Sequence, residues 1–557
     1  MGIWQTKDPA AASATSTHTR KGGFIAGNIL FALSGTAMTL LLSQGGSLLF
    51  IGVGVLLSFV VCLIIAFRFD VPKQALVSPK PLPLALGIVL AVCVALLYRA
   101  EFARTANEVI VSFLSASPFT TLTGAVRTAL PNVVCAIALF ALFVWFYLFS
   151  DRAVQFARRW FISSCRAERL FLLIGFALAV TAILLVYGHT TAFYGGAPYD
   201  VVYTTDSGNL ISTNSFVYVN AYENDIRQPL FAVFSMPFAV LSLLLGKILF
   251  FLPNAYPTVL ACVQAGLLLF GFTLLARLFG VTGADRVLFL LLLAVSYPTL
   301  LFLFTIEQYV FSVFWLFVLL YVWHERRGNR AMLFVAAAGS LLASGVLFPL
   351  LFEGKGVKKR VRTILVAGLA FLAVFVVFAR VPLLNRALQN VRDVVSFAGE
   401  TVPLRDRAMQ FLAFVSACFA RPVAGVDRTT YLHTSYQMLT ITHICWLGVA
   451  ILLLAAVSAV LHRKEATMRV FSLWAAFSVF LLLLVGWGSS ENGMVLYTLY
   501  FFWAFAALLY ALLQRLTRRK STLRYGISAA GIVALLCVNV PGLLDLIRFA
   551  VIYYPAS

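Results

Sequence analysis

The sequence predicts an all-α polytopic membrane protein, and three observations carry that reading. Of its 557 residues, 62% are hydrophobic and only 11% are charged, whereas charged residues supply about 25% of an ordinary soluble domain. Mean hydropathy is +0.95. Apolar runs long enough to cross roughly 30 Å of hydrocarbon recur along the chain, and no separate soluble domain interrupts them.

A formal net charge of +21 would point to nucleic acid in a soluble protein. Here Lys and Arg cluster between apolar runs, as anchors beside anionic lipid do, so membrane lipids are the expected partner and nucleic acid is not. The clusters are Arg20/Lys21, Arg68/Lys73/Lys80, Arg152/Arg158/Arg159/Arg166/Arg169, Arg277/Arg286, Arg326/Arg327/Arg330, Lys355/Lys358/Lys359/Arg360/Arg362, Arg463/Lys464/Arg469 and Arg515/Arg518/Arg519/Lys520/Arg524. Placing all of them on the cytoplasmic side gives one self-consistent threading.

In that threading residues 1–23, polar and rich in Ala, Ser and Thr, are a disordered cytoplasmic tail without the apolar core of a signal peptide. Spans at 24–42, 46–67, 82–98 and 131–150 form a four-span accessory module over 24–150. A span at 170–187 runs outward and opens a membrane core over 170–557, followed by an outer loop, 188–229. Residues 230–251 are read as a broken helix or helical pair lying at the outer interface. Pro229, Pro237 and Pro253 favour that, and a crossing here would move every later basic cluster outside. A true span, compensated in 331–352, is the alternative.

Further spans are expected at 258–277, 286–304 and 310–323. Residues 331–352 start and end beside basic loops, which predicts two short helices or a re-entrant hairpin. Spans at 362–380, 438–461, 470–487, 494–513 and 525–545 complete the core. The segment 380–436 falls outside and carries Arg380, Arg386, Arg392, Arg405, Arg407, Arg421 and Arg428 without a Lys. The Cys residues are scattered with no CxxC pair, which signals neither a disulfide framework nor a zinc site.

Chemistry concentrates in the outer loops. Asp206, Glu223 and Asp225 keep company with Asn209, Asn214, Asn220 and Asn224 and with Tyr203, Tyr218 and Tyr222. Planar amides and aromatic faces suit a polyhydroxylated ligand, while an ordinary solvated loop explains only the polarity. Glu307 in TIEQY, two residues before Tyr309, lies between strongly apolar segments. A carboxylate there is costly unless it is paired or faces a wet cavity, the plainer reading being a helix cap in a tight turn. Glu491 occupies a late outer turn, GWGSSENGM. The Arg-rich segment suits bidentate phosphate recognition, with lipid headgroups as its plainer partners.

This layout resembles the GT-C superfamily of polytopic glycosyltransferases, which use polyprenyl-phosphate sugars on the extracytoplasmic face. Asp206 resembles the acidic residue of their first large outer loop, and Arg227-Gln228-Pro229-Leu230-Phe231 resembles the short proline motif that leads into interfacial helices. Glu307 falls where the family often places a second carboxylate. Arg227-Gln228 stands where His or Lys is more usual, Asp206 has no acidic neighbour, and four spans precede the core.

The resemblance implies a GT-C-like helical core with outer interfacial helices in a bacterial-type cytoplasmic membrane. It implies inverting transfer of a sugar from a polyprenyl-phosphate donor to an extracytoplasmic glycan or lipid-linked acceptor. Asp206 would be the general base, with Asp225 its substitute. Glu307 would orient the acceptor or hold a divalent cation, although no compact ligand motif requires a metal. Arg227 or Arg392 would contact the carrier phosphate, with Glu223, Tyr309, Arg405, His433 and Glu491 completing the substrate site. The competing readings are a glycan polymerase or ligase using lipid-pyrophosphate-linked glycans, a lipid or solute transporter, and a purely structural membrane protein.

Overall fold

A chain segment surrounded by hydrocarbon must pair its backbone N–H and C=O groups internally, and the apolar runs do so as helices. The computed structural model describes residues 27–37, 39, 48–69, 80–98, 124–195, 201–219, 227–325, 330–352, 356–377, 402–428, 433–490 and 492–556. Among these, seven helices are long and apolar enough to cross a membrane, or eight if the bent pair Gly283–Val295 and Tyr297–Phe304 counts as one span. The chain is therefore a polytopic, largely α-helical membrane protein.

Two compact units divide it: Met1–Arg159 with Val376–Val381, and Trp160–Phe375 with Pro382–Ser557. In the first, helices Leu48–Phe69, Pro81–Leu97 and Gly124–Ser163 accompany a core of Phe31, Ala32, Cys62, Ala66, Val144 and Tyr147. Helix Gly124–Ser163 runs for 40 residues. The span expected at 131–150 is only its middle, because the Arg-rich continuation stays helical.

In the second unit, helices Arg166–Tyr187, Ala255–Phe279 and Gln308–His324 pack side by side. Their basic end is fixed by Glu168, which accepts from Arg277 at 2.5 Å and from Arg286 at 3.0 Å. At the opposite end the Tyr187 hydroxyl donates to the Phe304 carbonyl at 2.5 Å. The bend in the broken span is filled from elsewhere: Asn539, fully buried, donates to Val295 O and Phe419 O at 2.8 and 2.6 Å.

Residues 230–251 depart from expectation. They form one continuous helix, Phe231–Ile248, with Pro237 inside it and half of its length buried. Phe234 O accepts from Trp315 Nε1 at 3.2 Å, and Phe238 packs on Phe311, Phe314 and Trp315. Gly246 meets the start of Ala255–Phe279 so closely that a Cβ would lie 3.0 Å from Tyr256 Cα. The helix therefore turns back into Ala255–Phe279 as a close antiparallel pair, while its first half, Phe231 on Phe311 included, packs on Gln308–His324. By length and composition it qualifies as a span in its own right, the alternative named above.

Residues 331–352 behave as expected: helix Arg330–Ser340 and a 3₁₀ segment, Leu342–Phe352, fold against each other with Phe334 and Phe348 ring centroids 4.8 Å apart. Strands were not expected, yet Ala424–Asp427 and Ser435–Met438 form an antiparallel hairpin between helices Leu404–Ala417 and Trp446–Leu461. Those two helices approach so closely that a Cβ on Gly448 would overlap the Leu412 carbonyl oxygen. Backbone cannot swing aside as a side chain can, so Gly448→Ala is expected to cost about 1–3 kcal/mol of stability. Gly531, whose added Cβ meets nothing within 4 Å, is the control; alanine there should be neutral or slightly stabilising in a thermal unfolding measurement.

Candidate functional site

Glu307 lies in the short turn between helices Tyr297–Phe304 and Gln308–His324 and is fully buried. Three elements hold it. Its Oε1 accepts the backbone N–H of Asp206 at 2.6 Å, and its Oε2 accepts the N–H of Gln308 at 3.2 Å. Its own N–H donates to Gln264 Oε1 at 3.2 Å, while Gln264 Nε2 donates to the Phe302 and Thr305 carbonyls, both at 2.8 Å. Gln264 thus closes the broken backbone at the turn from a neighbouring helix.

Burial pushes the Glu307 carboxyl well above the ordinary carboxylate range, and the neighbouring Asp206 adds to the effect. The N–H groups of Asp206 and Gln308, with Arg227, act the other way. Burial prevails, and Glu307 holds its proton to higher pH than an ordinary carboxylate does.

Asp206 stands at the N-terminus of the short helix Ser207–Ser212, without a side-chain capping bond, and is only partly buried. The chain reaches it through backbone that side chains rarely adopt: Tyr203 has φ 49° and Thr204 φ 61°. For a β-branched residue such as Thr204 this is costly, about 1–3 kcal/mol, and it persists only where the surroundings enforce it. They do so here. Strand Ser435–Met438 accepts Tyr203 N–H at Tyr436 O, 2.8 Å, and donates Tyr436 N–H to Val201 O, 2.7 Å. The Tyr203 and Tyr297 hydroxyls bond at 3.0 Å. The turn before Met494 completes the clamp, because Gly493 has no Cβ to collide with the Thr204 hydroxyl, 2.8 Å from where it would stand.

Around the pair is an aromatic and amide wall. Tyr309, buried, packs on Phe302, Tyr497 and Tyr500. Gln228 Nε2 donates to the Tyr500 hydroxyl at 3.2 Å. Asn492, beside the Gly493 that meets Thr204, donates through Nδ2 to Met438 O at 2.7 Å.

The structure thus brings Asp206 and Glu307 together, with Tyr309 beside them and Arg227 within electrostatic reach. Arg405 is exposed on the first turn of Leu404–Ala417, and His433 precedes strand Ser435–Met438, partly buried. Glu223, Asp225, Arg392 and Glu491 lie outside the described residues. Among the described residues no group of three or more His, Cys, Asp or Glu is placed to hold a metal ion. Sequence reasoning missed Gln264, Thr204 and Tyr500. Gln264 had a readable signal, a lone amide inside an apolar run; the conformation at Thr204 had none.

Comparison of the chain with protein-family models, curated proteins and solved structures gives no match in any of the three.

Proposed function

We propose that this chain is a membrane glycosyltransferase that moves a sugar from a polyprenyl-phosphate carrier to an acceptor hydroxyl on the extracytoplasmic side. The observation that carries this reading is the bond between Asp206 N–H and the buried Glu307 carboxyl. It joins the polar loop to the turn of a broken span, with tyrosines beside both. In the reaction the acceptor oxygen bonds to the anomeric carbon as the carbon–oxygen bond to phosphate breaks. The electron pair leaves on the phosphate, and the acceptor proton passes to the Asp206 carboxylate. Glu307 fixes the backbone from which Asp206 projects, and the charge of Arg227 favours the departing phosphate.

One observation favours a second reading, transport of a lipid or solute. The hairpin Arg330–Phe352 meets the chain at Arg227–Leu230 through main-chain bonds from Leu342 N to Arg227 O and from Leu230 N to Gly339 O, at 2.8 and 3.0 Å. Opposed broken elements of this kind are common in transporters.

Purified full-length protein in proteoliposomes, given radiolabelled polyprenyl-phosphate hexoses and pentoses with a membrane-lipid extract as acceptor, separates the two. The expected result is loss of one donor and appearance of its sugar on a new product. Donor that crosses the bilayer chemically unchanged supports transport, and donor that stays intact and in place removes both.

A further inference from the structure

At the end of the core that carries Glu168, two basic turns meet. Helix Trp446–Leu461 ends in a turn bearing Arg463 and Lys464, and helix Thr498–Leu516 ends in one bearing Arg518, Arg519 and Lys520. The helices pack side by side, with Ser458 Oγ donating to Leu508 O at 2.6 Å. Arg515 straps the turns together: its Nη1 donates to Leu461 O at 2.9 Å. The second turn joins the Glu168 clamp through the next helix, where Arg524 donates to Asp285 at 2.7 and 2.8 Å, one residue before Arg286. All six cations of the two turns, Arg515 included, are exposed.

These charges lack counter-charge within the turns. Among the described residues none of the six is ion-paired. Glu168 is taken by Arg277 and Arg286, and Asp285 by Arg524 and by the Tyr510 hydroxyl at 2.9 Å. Glu465 is the one acid beside the first turn, and each helix C-terminus adds about half a negative charge, so about four positive charges remain uncompensated. Apolar side chains lie close by in sequence and point outward: Val460 is 65% exposed, Leu516 74% and Leu523 51%. A cationic rim above an exposed apolar wall fits an amphiphile, a phosphate headgroup on acyl chains, better than a soluble anion or an acidic protein surface.

We propose that the two turns form one binding site for the headgroup of an anionic phospholipid. Its phosphate is held between Arg463/Lys464 and Arg518/Arg519/Lys520, and its acyl chains lie on Val460, Leu516 and Leu523. This is a discrete site, not the diffuse attraction of a basic surface, because two elements supply it and Arg515 fixes their approach. Lys358, Lys359 and Arg362, all on the first two turns of the single helix Val357–Val377 and all exposed, provide the comparison. The site serves whichever reaction the outer end performs.

Native mass spectrometry of the full chain, released from detergent with phosphatidylglycerol or phosphatidylcholine added, tests it. The first phosphatidylglycerol should bind more tightly than phosphatidylcholine. A cation beside an anionic lipid is worth about fivefold in affinity, so Arg518→Gln/Arg519→Gln/Lys520→Gln should weaken that first binding about 10²-fold and Arg463→Gln/Lys464→Gln about 25-fold. Lys358→Gln/Lys359→Gln/Arg362→Gln removes as much charge as the triple variant and should leave that binding within about twofold of the parent. The replaced side chains are all exposed, so the variants are expected to keep the parent's thermal transition. Arg519→Gln alone, about fivefold weaker, serves if a multiple variant does not fold. Equal weakening in the 358–362 variant makes the attraction diffuse and overturns the proposal. Equal binding of the two lipids overturns it too, as does a first lipid displaced by millimolar glycerol phosphate, which would make the paired turns a site for a free anion.

Discussion

Asp206→Asn is expected to lower sugar transfer by about 10²–10⁴-fold, the range that loss of a positioned general base costs, without unfolding the protein. The fold should survive because it is the backbone N–H of Asp206 that bonds to Glu307. Glu307 is a different case. Gln at 307 keeps an acceptor for that N–H, so the loop stays in register and the loss of turnover should be smaller than at 206. Alanine orphans the N–H groups of both Asp206 and Gln308, at about 1–3 kcal/mol each, and should reduce stability and activity together. Parent-like turnover in folded Asp206→Asn would sink the base assignment.

The same carboxyl makes stability depend on pH, and the sign is the reverse of an ordinary ion-paired acid. Burial raises Glu307 above the ordinary carboxylate range, so the folded chain holds a proton that the unfolded chain releases. Its contribution is complete below the ordinary carboxylate pKa and is lost as pH rises through the raised value. Thermal unfolding of the parent should weaken toward alkaline pH across that window. Glu307→Gln, which cannot ionise, should remove this part of the slope.

Much of this architecture was legible because the bilayer imposes a simple rule on sequence. Long apolar runs and the basic groups between them located most helices, and the basic flanks of 331–352 gave the hairpin. Glu307 was legible for the same reason, as a carboxylate where hydrocarbon would not tolerate an unpaired one. The failures were places where local signals were outvoted by packing. Pro237 does not break Phe231–Ile248, whose buried residues Phe231, Ser235, Met236 and Ala239 pack against neighbours. The arginines after residue 150 do not end Gly124–Ser163, since Arg is a good helix former. The hairpin at 424–438 has strands of only four residues, too short for an alternating pattern to stand out. How far Asp206 lies from Glu307 depends on that hairpin and on Gly493, remote positions that carry no signal of a shared site.

Removing the Glu168 carboxylate should be the most destabilising single change at the basic end of the core. Glu168 is 0% exposed and accepts from two guanidiniums and from the Cys165 N–H at 3.2 Å. Arg277 also donates to Ser163 Oγ at 2.9 Å and sits over the Trp160 ring, while Arg286 donates to Val281 O at 2.7 Å. One carboxylate thus ties the turn after Gly124–Ser163 to two further helices. Alanine would leave two positive charges close together with little solvent to screen them, and breaking a buried pair in this way costs about 3–5 kcal/mol. Glu168→Gln should recover part of that loss, keeping hydrogen bonds but not charge. Arg421 and Asp545, with side chains 41% and 50% exposed, give the comparison: Asp545→Ala should cost about 0–1 kcal/mol and vanish in high salt. The Glu168→Ala penalty should persist there, because a buried pair is screened far less. Equal shifts for the two alanine variants in thermal unfolding would refute the clamp.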